Sequence, residues 1–263
     1  MCETKLASGQ IIKNTLPNYE ICSRTKKIGE KGIALCVRKN TFQSVLDVTT
    51  TKTEDIVVVR IEMVNIALRI ILAYAPQENE VAETREQFFS EVEVEITKCK
   101  MADELPILIG DLNAKIELNE GKIEELTSNG RHLAQLIENQ QLDVLNFNKK
   151  CSGKWTHVIR TSNSSSVLDY VLTSKEVTNT VVESVIIDEE CLMCPFSLKK
   201  KNNVEKTQFS DHNAIVVRLL MEHNKKNEVN KAKSWRITKE GLQKLIEITN
   251  DTFDNSKGSN TQQ

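Results

Sequence analysis

The sequence predicts an α+β domain built on two packed sheets, and three observations carry that prediction. Short apolar runs rich in β-branched residues recur along the chain, only two stretches have helical periodicity, and 263 residues with 39% hydrophobic side chains suffice for a substantial core. Nine Gly and four Pro exclude a collagenous or linker-dominated chain, and no apolar run approaches the ~20 residues of a membrane span.

The runs that read as strands are Ile33–Val37, Ile56–Ile61, Ala67–Ala73, Ile107–Ile109, Val144–Phe147, Val167–Leu172, Val181–Ile187 and Ala214–Leu220. A helix is expected between Asn79 and Lys100, where Phe88, Val92, Ile96 and Cys99 share one face and Glu side chains fill most of the other. A second helix should begin at a Ser128 or Asn129 cap, with Leu133, Leu136 and Ile137 on its apolar stripe.

Past Met221 the composition changes. Residues 223–239 hold six Lys or Arg against one Glu, a short amphipathic stretch (Leu242, Leu245, Ile246) follows, and the last residues are polar. The reading is a domain over 1–221 and a basic connector with a disordered tail over 222–263. No internal repeat interrupts it.

Charge and cysteine content narrow the function classes. With 35 Lys and Arg against 37 Asp and Glu the net charge is −2, so nucleic-acid binding must rest on local features. Cys2, Cys22, Cys36, Cys99, Cys151, Cys191 and Cys194 form an odd, scattered set, and the Cys191/Cys194 pair lacks a second half for a zinc site. Reduced thiols in an intracellular compartment are expected, as is the absence of a signal peptide in the polar first residues.

Four places set acidic or amide groups at the ends of apolar runs. In Leu105 to Asn113 an apolar strand breaks at Gly110 and presents Asp111 and Asn113; if extended geometry continues, alternation puts both on one side. Asp169 interrupts an apolar run and needs a partner there. Ser210-Asp211-His212 stands directly before a strand, and Glu3 lies in Cys2-Glu3-Thr4-Lys5. Separately these are turns, caps and buried acceptors. Together they offer oxygen ligands suited to Mg²⁺ and an imidazole for acid–base chemistry, a combination that suits phosphodiester hydrolysis.

The ordered series Glu3-Thr4-Lys5, Tyr74-Ala75-Pro76, Gly110-Asp111-Leu112-Asn113, Trp155-Thr156, Leu168-Asp169-Tyr170 and Ser210-Asp211-His212 resembles the endonuclease/exonuclease/phosphatase superfamily. That superfamily is DNase I-like, and the resemblance is strongest to the apurinic/apyrimidinic-type endonuclease domain of LINE-type (non-LTR) retrotransposons. It covers residues 1 to about 221. Ser234-Trp235-Arg236 and the basic stretch resemble the connector toward a reverse transcriptase in such elements.

The resemblance implies a four-layer αββα sandwich, two mixed sheets flanked by helices, with the site at one edge. It also implies roles. Glu3 and Asp211 are metal ligands, Tyr74 contacts the scissile phosphate, Asp111 and Asn113 handle the attacking water and developing charge, and Asp169 and His212 form a phosphate-contacting pair. Trp155, Thr156, Arg160 and Asn163 would lie toward the nucleic acid. The expected cofactor is Mg²⁺, with Mn²⁺ as substitute; the expected partner is DNA, bound by a monomer acting in the nucleus.

One departure stands beside these matches. The family's first strand, with an S-W-N-like motif, precedes its E-T-K segment, whereas here Met1 lies two residues before Glu3, so a first strand is expected to be missing. Two alternatives to an active endonuclease follow. One is an inactive remnant that binds nucleic acid or has no function; the other is a phosphodiesterase or phosphatase acting on a different substrate. Lys199-Lys200-Lys201 reads as a solvated surface loop, and His132 and His157 as structural or exposed residues.

Overall fold

The computed structural model describes residues 16–25, 32–63, 65–119, 121–159, 164–187, 195–199, 205–209 and 211–220. Glu3, Arg160, Asn163, Cys191, Cys194 and the expected connector over 222–263 lie outside them.

Strands β1 (Tyr19–Thr25) and β2 (Gly32–Arg38) pair antiparallel, and β3 (Ser44–Asp47), β4 (Ile56–Glu62) and β5 (Ala67–Tyr74) follow as antiparallel neighbours. Helix α1 (Ala82–Met101) then returns the chain so that β6 (Leu105–Asp111) lies parallel to β5, a pairing that requires such a crossover. After it come the hairpin β7 (Ile116–Asn119) and β8 (Lys122–Glu125), helix α2 (Ser128–Gln140), β9 (Asp143–Val144) and a 3₁₀ turn at Leu145–Phe147. The order continues through β10 (Cys151–Ser152), β11 (His157–Ile159), β12 (Ser164–Ser166), β13 (Asp169–Thr173), helix α3 (Lys175–Thr180) and β14 (Val181–Ile187). It ends with β15 (Pro195–Lys199), β16 (Glu205–Phe209) and β17 (Ala214–Leu219).

The main sheet has the order β3-β4-β5-β6-β13-β9, and each face buries a separate cluster. Ile56, Val58, Ile71, Ala73, Leu108, Tyr170 and Leu172 meet α1 and α2 through Phe88, Phe89, Val92, Ile96, Leu133 and Leu136. On the opposite face, Val57, Val59, Leu72, Tyr74, Ile107 and Val171 pack against Ile33 and Val37 of β2, Val181 of β14 and Ile215 and Val217 of β17. Both faces of β4, β5 and β6 are therefore covered, which is why these strands read as continuous apolar runs rather than alternating ones. Burying each such Leu or Ile contributes about 1.5–3 kcal/mol.

The expected α+β, sheet-on-sheet core is present, and several local expectations need correction. Helix α1 starts at Ala82, after a turn in which the Glu80 amide donates to the Gln77 carbonyl. The cap of α2 is Thr127, whose hydroxyl accepts from the Gly130 amide at 3.1 Å. Asn129 is engaged elsewhere: its side-chain amide donates to the carbonyls of Pro76 and Asn113 at 2.8 and 3.1 Å. The apolar run Val144–Phe147 is strand only to Val144. Beyond it the Asn146 side chain replaces the ladder, accepting from the Val171 amide and donating to the Asp169 carbonyl at 3.1 and 2.9 Å.

Lys199 closes a strand paired with Glu205 rather than opening a loop, while Lys200 and Lys201 lie outside the described residues. Among the described residues Cys22, Cys36, Cys99 and Cys151 form no disulfide, and Cys99 is buried. In the same residues no helix is long and apolar enough to cross a membrane.

Candidate active site

The ends of three adjacent central strands build the site. Tyr74 ends β5 opposite Asp111 at the end of β6, and Asp111 stands opposite Asp169 at the start of β13. Residues directly opposed across a ladder share a face, so a tyrosine and two carboxylates lie in one row on the face toward the smaller sheets. Asp111 is only 4% exposed.

Gly110 makes this row possible. Its φ is +139°, and a Cβ added there would lie 1.9 Å from the Ala73 carbonyl oxygen of the neighbouring strand. Only glycine accepts both that backbone conformation and that approach. After Asp111 the chain leaves extended geometry, because Asn113 has a φ of 44°. The expectation that alternation alone sets Asp111 and Asn113 side by side is thus corrected. A tight turn brings them together, with the Asn113 amide donating to Asp111 Oδ1 at 3.0 Å and the Asn113 side chain donating to the Ala75 carbonyl at 2.8 Å.

His212 reaches the row from a distant part of the chain. Residues 211–213 run beside 156–158: the Val158 amide donates to the Asp211 carbonyl at 2.8 Å and the Asn213 amide to the Thr156 carbonyl at 2.7 Å. This pairing sets His212 Nδ1 2.8 Å from Asp169 Oδ2 and Nε2 4.0 Å from Asp111 Oδ2. Burial opposes protonation of His212, yet the Asp169 hydrogen bond and the charges of Asp169, Asp111 and Asp211 prevail, pushing its pKa up to about 9. Such an imidazole is protonated at neutral pH and donates a hydrogen bond instead of accepting a proton.

Thr156 is corrected from a contact toward nucleic acid to a supporting residue. Its side chain is fully buried, and its hydroxyl oxygen accepts from the backbone amides of Leu168 and Asp169 at 2.9 and 3.0 Å. Trp155 beside it is half-buried, with Lys154 Nζ 4.3 Å from the ring centroid. Strands β11 and β12 form an antiparallel pair, and the expected contacts Arg160 and Asn163 fall between them, outside the described residues.

The sequence reading missed Asn146, Asn213 and Tyr170 as supports, and it read His157 as structural or exposed without placing it at the site. Asn146 carries the signal that singled out Asp169, a polar residue inside an apolar run. Asn213 is buried and donates to the Trp155 carbonyl at 2.6 Å. The Tyr170 hydroxyl donates to the Ala114 carbonyl at 3.0 Å and accepts from the Ile116 amide at 3.4 Å, tying the segment after Asp111 to β13. His157 meets the His212 ring edge-on, centroids 4.8 Å apart, and only the fold reveals it.

The donor set fits a divalent cation. Ligand atoms of Asp111, Asp169 and His212 lie within 4.8 Å of one another, as do those of His157, Asp211 and His212, and the carboxylates are the hard donors Mg²⁺ prefers. The expected ligand Glu3 is outside the described residues.

Comparison with known proteins bears on the whole arrangement. The structure resembles the endonuclease domain of TRAS1, a telomere-specific non-LTR retrotransposon, at a TM-score of 0.57 and 16% identity, covering 84% of this chain and 95% of that one. It resembles the 3′–5′ exonuclease NExo of Neisseria meningitidis at a TM-score of 0.58 and 14% identity, covering 83% and 87%. The 3′ phosphatase NExo from Neisseria bound to product DNA hairpin gives 0.59 and 12%, covering 84% and 87%. At these identities the likeness shows the fold, a DNase I-like sandwich. No curated protein sequence matches the chain. A sequence match to endonuclease-reverse transcriptase proteins extends over residues 68–216, more than half of the chain. Because that stretch contains Tyr74, Asp111, Asn113, Asp169 and His212 in a single assembled site, fold and sequence agree that the chain belongs to the endonuclease-reverse transcriptase family.

Proposed function

We propose that the protein is a divalent-metal-dependent endonuclease of retrotransposon origin that hydrolyses a DNA phosphodiester bond. The observation that carries this reading is the row Tyr74, Asp111 and Asp169 across three strands, closed by His212 at 2.8 Å from Asp169.

Asp111 orients and deprotonates the attacking water, placed in line with the scissile bond. Asn113, anchored through its amide on Ala75, offers its second N–H to the developing phosphoryl charge. His212 donates to a phosphoryl oxygen, and Asp169 holds its ring in the required orientation. Tyr74 hydrogen-bonds the phosphate. Glu3 and Asp211 would hold Mg²⁺ or Mn²⁺, which when bound supplies charge neutralisation at the phosphoryl oxygens. Cleavage leaves 3′-hydroxyl and 5′-phosphate ends. Trp155, Arg160 and Asn163 contact the DNA, and the chain acts as a nuclear monomer derived from a longer protein with a reverse transcriptase.

The test is nicking of supercoiled plasmid. Wild-type protein with Mg²⁺ is expected to nick, EDTA to stop it, and Asp111→Asn or His212→Ala to lower the rate at least about 100-fold. No nicking with Mg²⁺ or Mn²⁺, or undiminished nicking by both variants, overturns the reading.

A further inference from the structure

His157, Asp211 and His212 come together only through the β-bridge between His157 and His212, and one ligand atom from each lies within 4.8 Å of the others. His157 Nε2 is 3.8 Å from Asp211 Oδ2. Ligands at about 2.1 Å in tetrahedral geometry around Zn²⁺ stand roughly 3.4 Å apart, so a small closure suffices. The Asp211 side chain, 68% exposed, can make it.

Each imidazole also carries an oxygen partner. His212 Nδ1 is bonded to Asp169 Oδ2 at 2.8 Å, and His157 Nδ1 lies 3.3 Å from Ser166 Oγ. His157 is held as metal-bound histidines are, with Ser166 Oγ against Nδ1 fixing the ring while Nε2 faces Asp211. Two imidazoles and one carboxylate form a borderline, nitrogen-rich donor set, which favours Zn²⁺-like ions over Mg²⁺.

We propose that His157, Asp211 and His212 bind a transition-metal ion of the Zn²⁺ class, at a site that shares Asp211 with the Mg²⁺ site and adds two imidazoles. Binding displaces a proton from His212 and takes Asp211 and His212 out of the nuclease site, so the ion acts as an inhibitor. That consequence rests on the endonuclease reading; the binding does not.

The test titrates the full chain with Co²⁺, followed by visible absorbance, and with Zn²⁺ by calorimetry. One ion per chain is expected, with affinity reduced at least about tenfold in His157→Gln and in Ser166→Ala. Thermal melting checks that both variants are folded. Millimolar Mg²⁺ should fail to displace Co²⁺. No stoichiometric binding, equal affinity in wild type and both folded variants, or displacement by Mg²⁺ overturns the site. Plasmid nicking separates the two readings: a chain that nicks but binds no Co²⁺ loses only the metal site, and one that binds Co²⁺ but never nicks loses only the endonuclease.

Discussion

Asp169 Oδ2 accepts a hydrogen bond from His212 Nδ1 at 2.8 Å, joining residues 43 positions apart in the chain. The bond decides the charge state of the imidazole. A histidine whose folded pKa of about 9 exceeds the ordinary value of ~6.5 stabilises the fold fully below pH ~6.5, and that contribution is lost as pH rises through about 9. The urea midpoint should therefore fall between pH 6.5 and 9.5, and Asp169→Asn should flatten the slope. NMR titration of His212 near its ordinary value in wild type would refute this.

Thr156 separates support from contact. Thr156→Val leaves the Leu168 and Asp169 amides without their acceptor, at about 1–3 kcal/mol each, whereas Thr156→Ser keeps the oxygen. Denaturation should show a large loss for the valine variant and a small one for serine. If both variants keep wild-type stability yet bind DNA poorly, Thr156 is a contact residue after all.

Tyr170 links the same strand to the turn carrying Asn113. Removing its hydroxyl in Tyr170→Phe deprives the buried Ala114 carbonyl and Ile116 amide of their partner and should cost about 1–3 kcal/mol. Chemical denaturation measures the loss. The nicking rate should fall as well, because the segment after Asp111 loosens.

Glu104 tests the far end of the main sheet. Its carboxylate, 7% exposed, receives Arg60 Nε at 2.7 Å and Arg69 Nε at 2.6 Å. Glu104→Ala leaves the largely buried Arg69 guanidinium without its carboxylate, while Arg60 keeps Glu62 at 3.5 Å, and should destabilise by about 1–3 kcal/mol, with the nicking rate of the remaining folded protein nearly unchanged. Urea melts at two salt concentrations check it.

Much was legible in the sequence, for physical reasons that particular residues illustrate. The strand at Val181–Ile187 and the helix face of Phe88, Val92 and Ile96 are visible because burial imposes a period on the side chains. Short elements were not. The strand Ser164–Ser166 is made by its pairing with β11, and the strand Ser44–Asp47 by pairing with β4; neither composition announces a strand.

The sequence by itself determined the α+β class and singled out Asp111, Asn113, Asp169 and His212 as candidates, since polar groups at the ends of apolar runs stand out in one dimension. Only the tertiary structure decided which of them meet and how. Ladder register placed Tyr74, Asp111 and Asp169 in one row, the φ of Asn113 replaced alternation with a turn, and burial turned Thr156 from a contact into a support. His157 owes its place beside His212 wholly to a bridge between distant segments. Local periodicity is written into neighbouring residues, whereas register, burial and long-range pairing depend on packing that no short window of sequence contains.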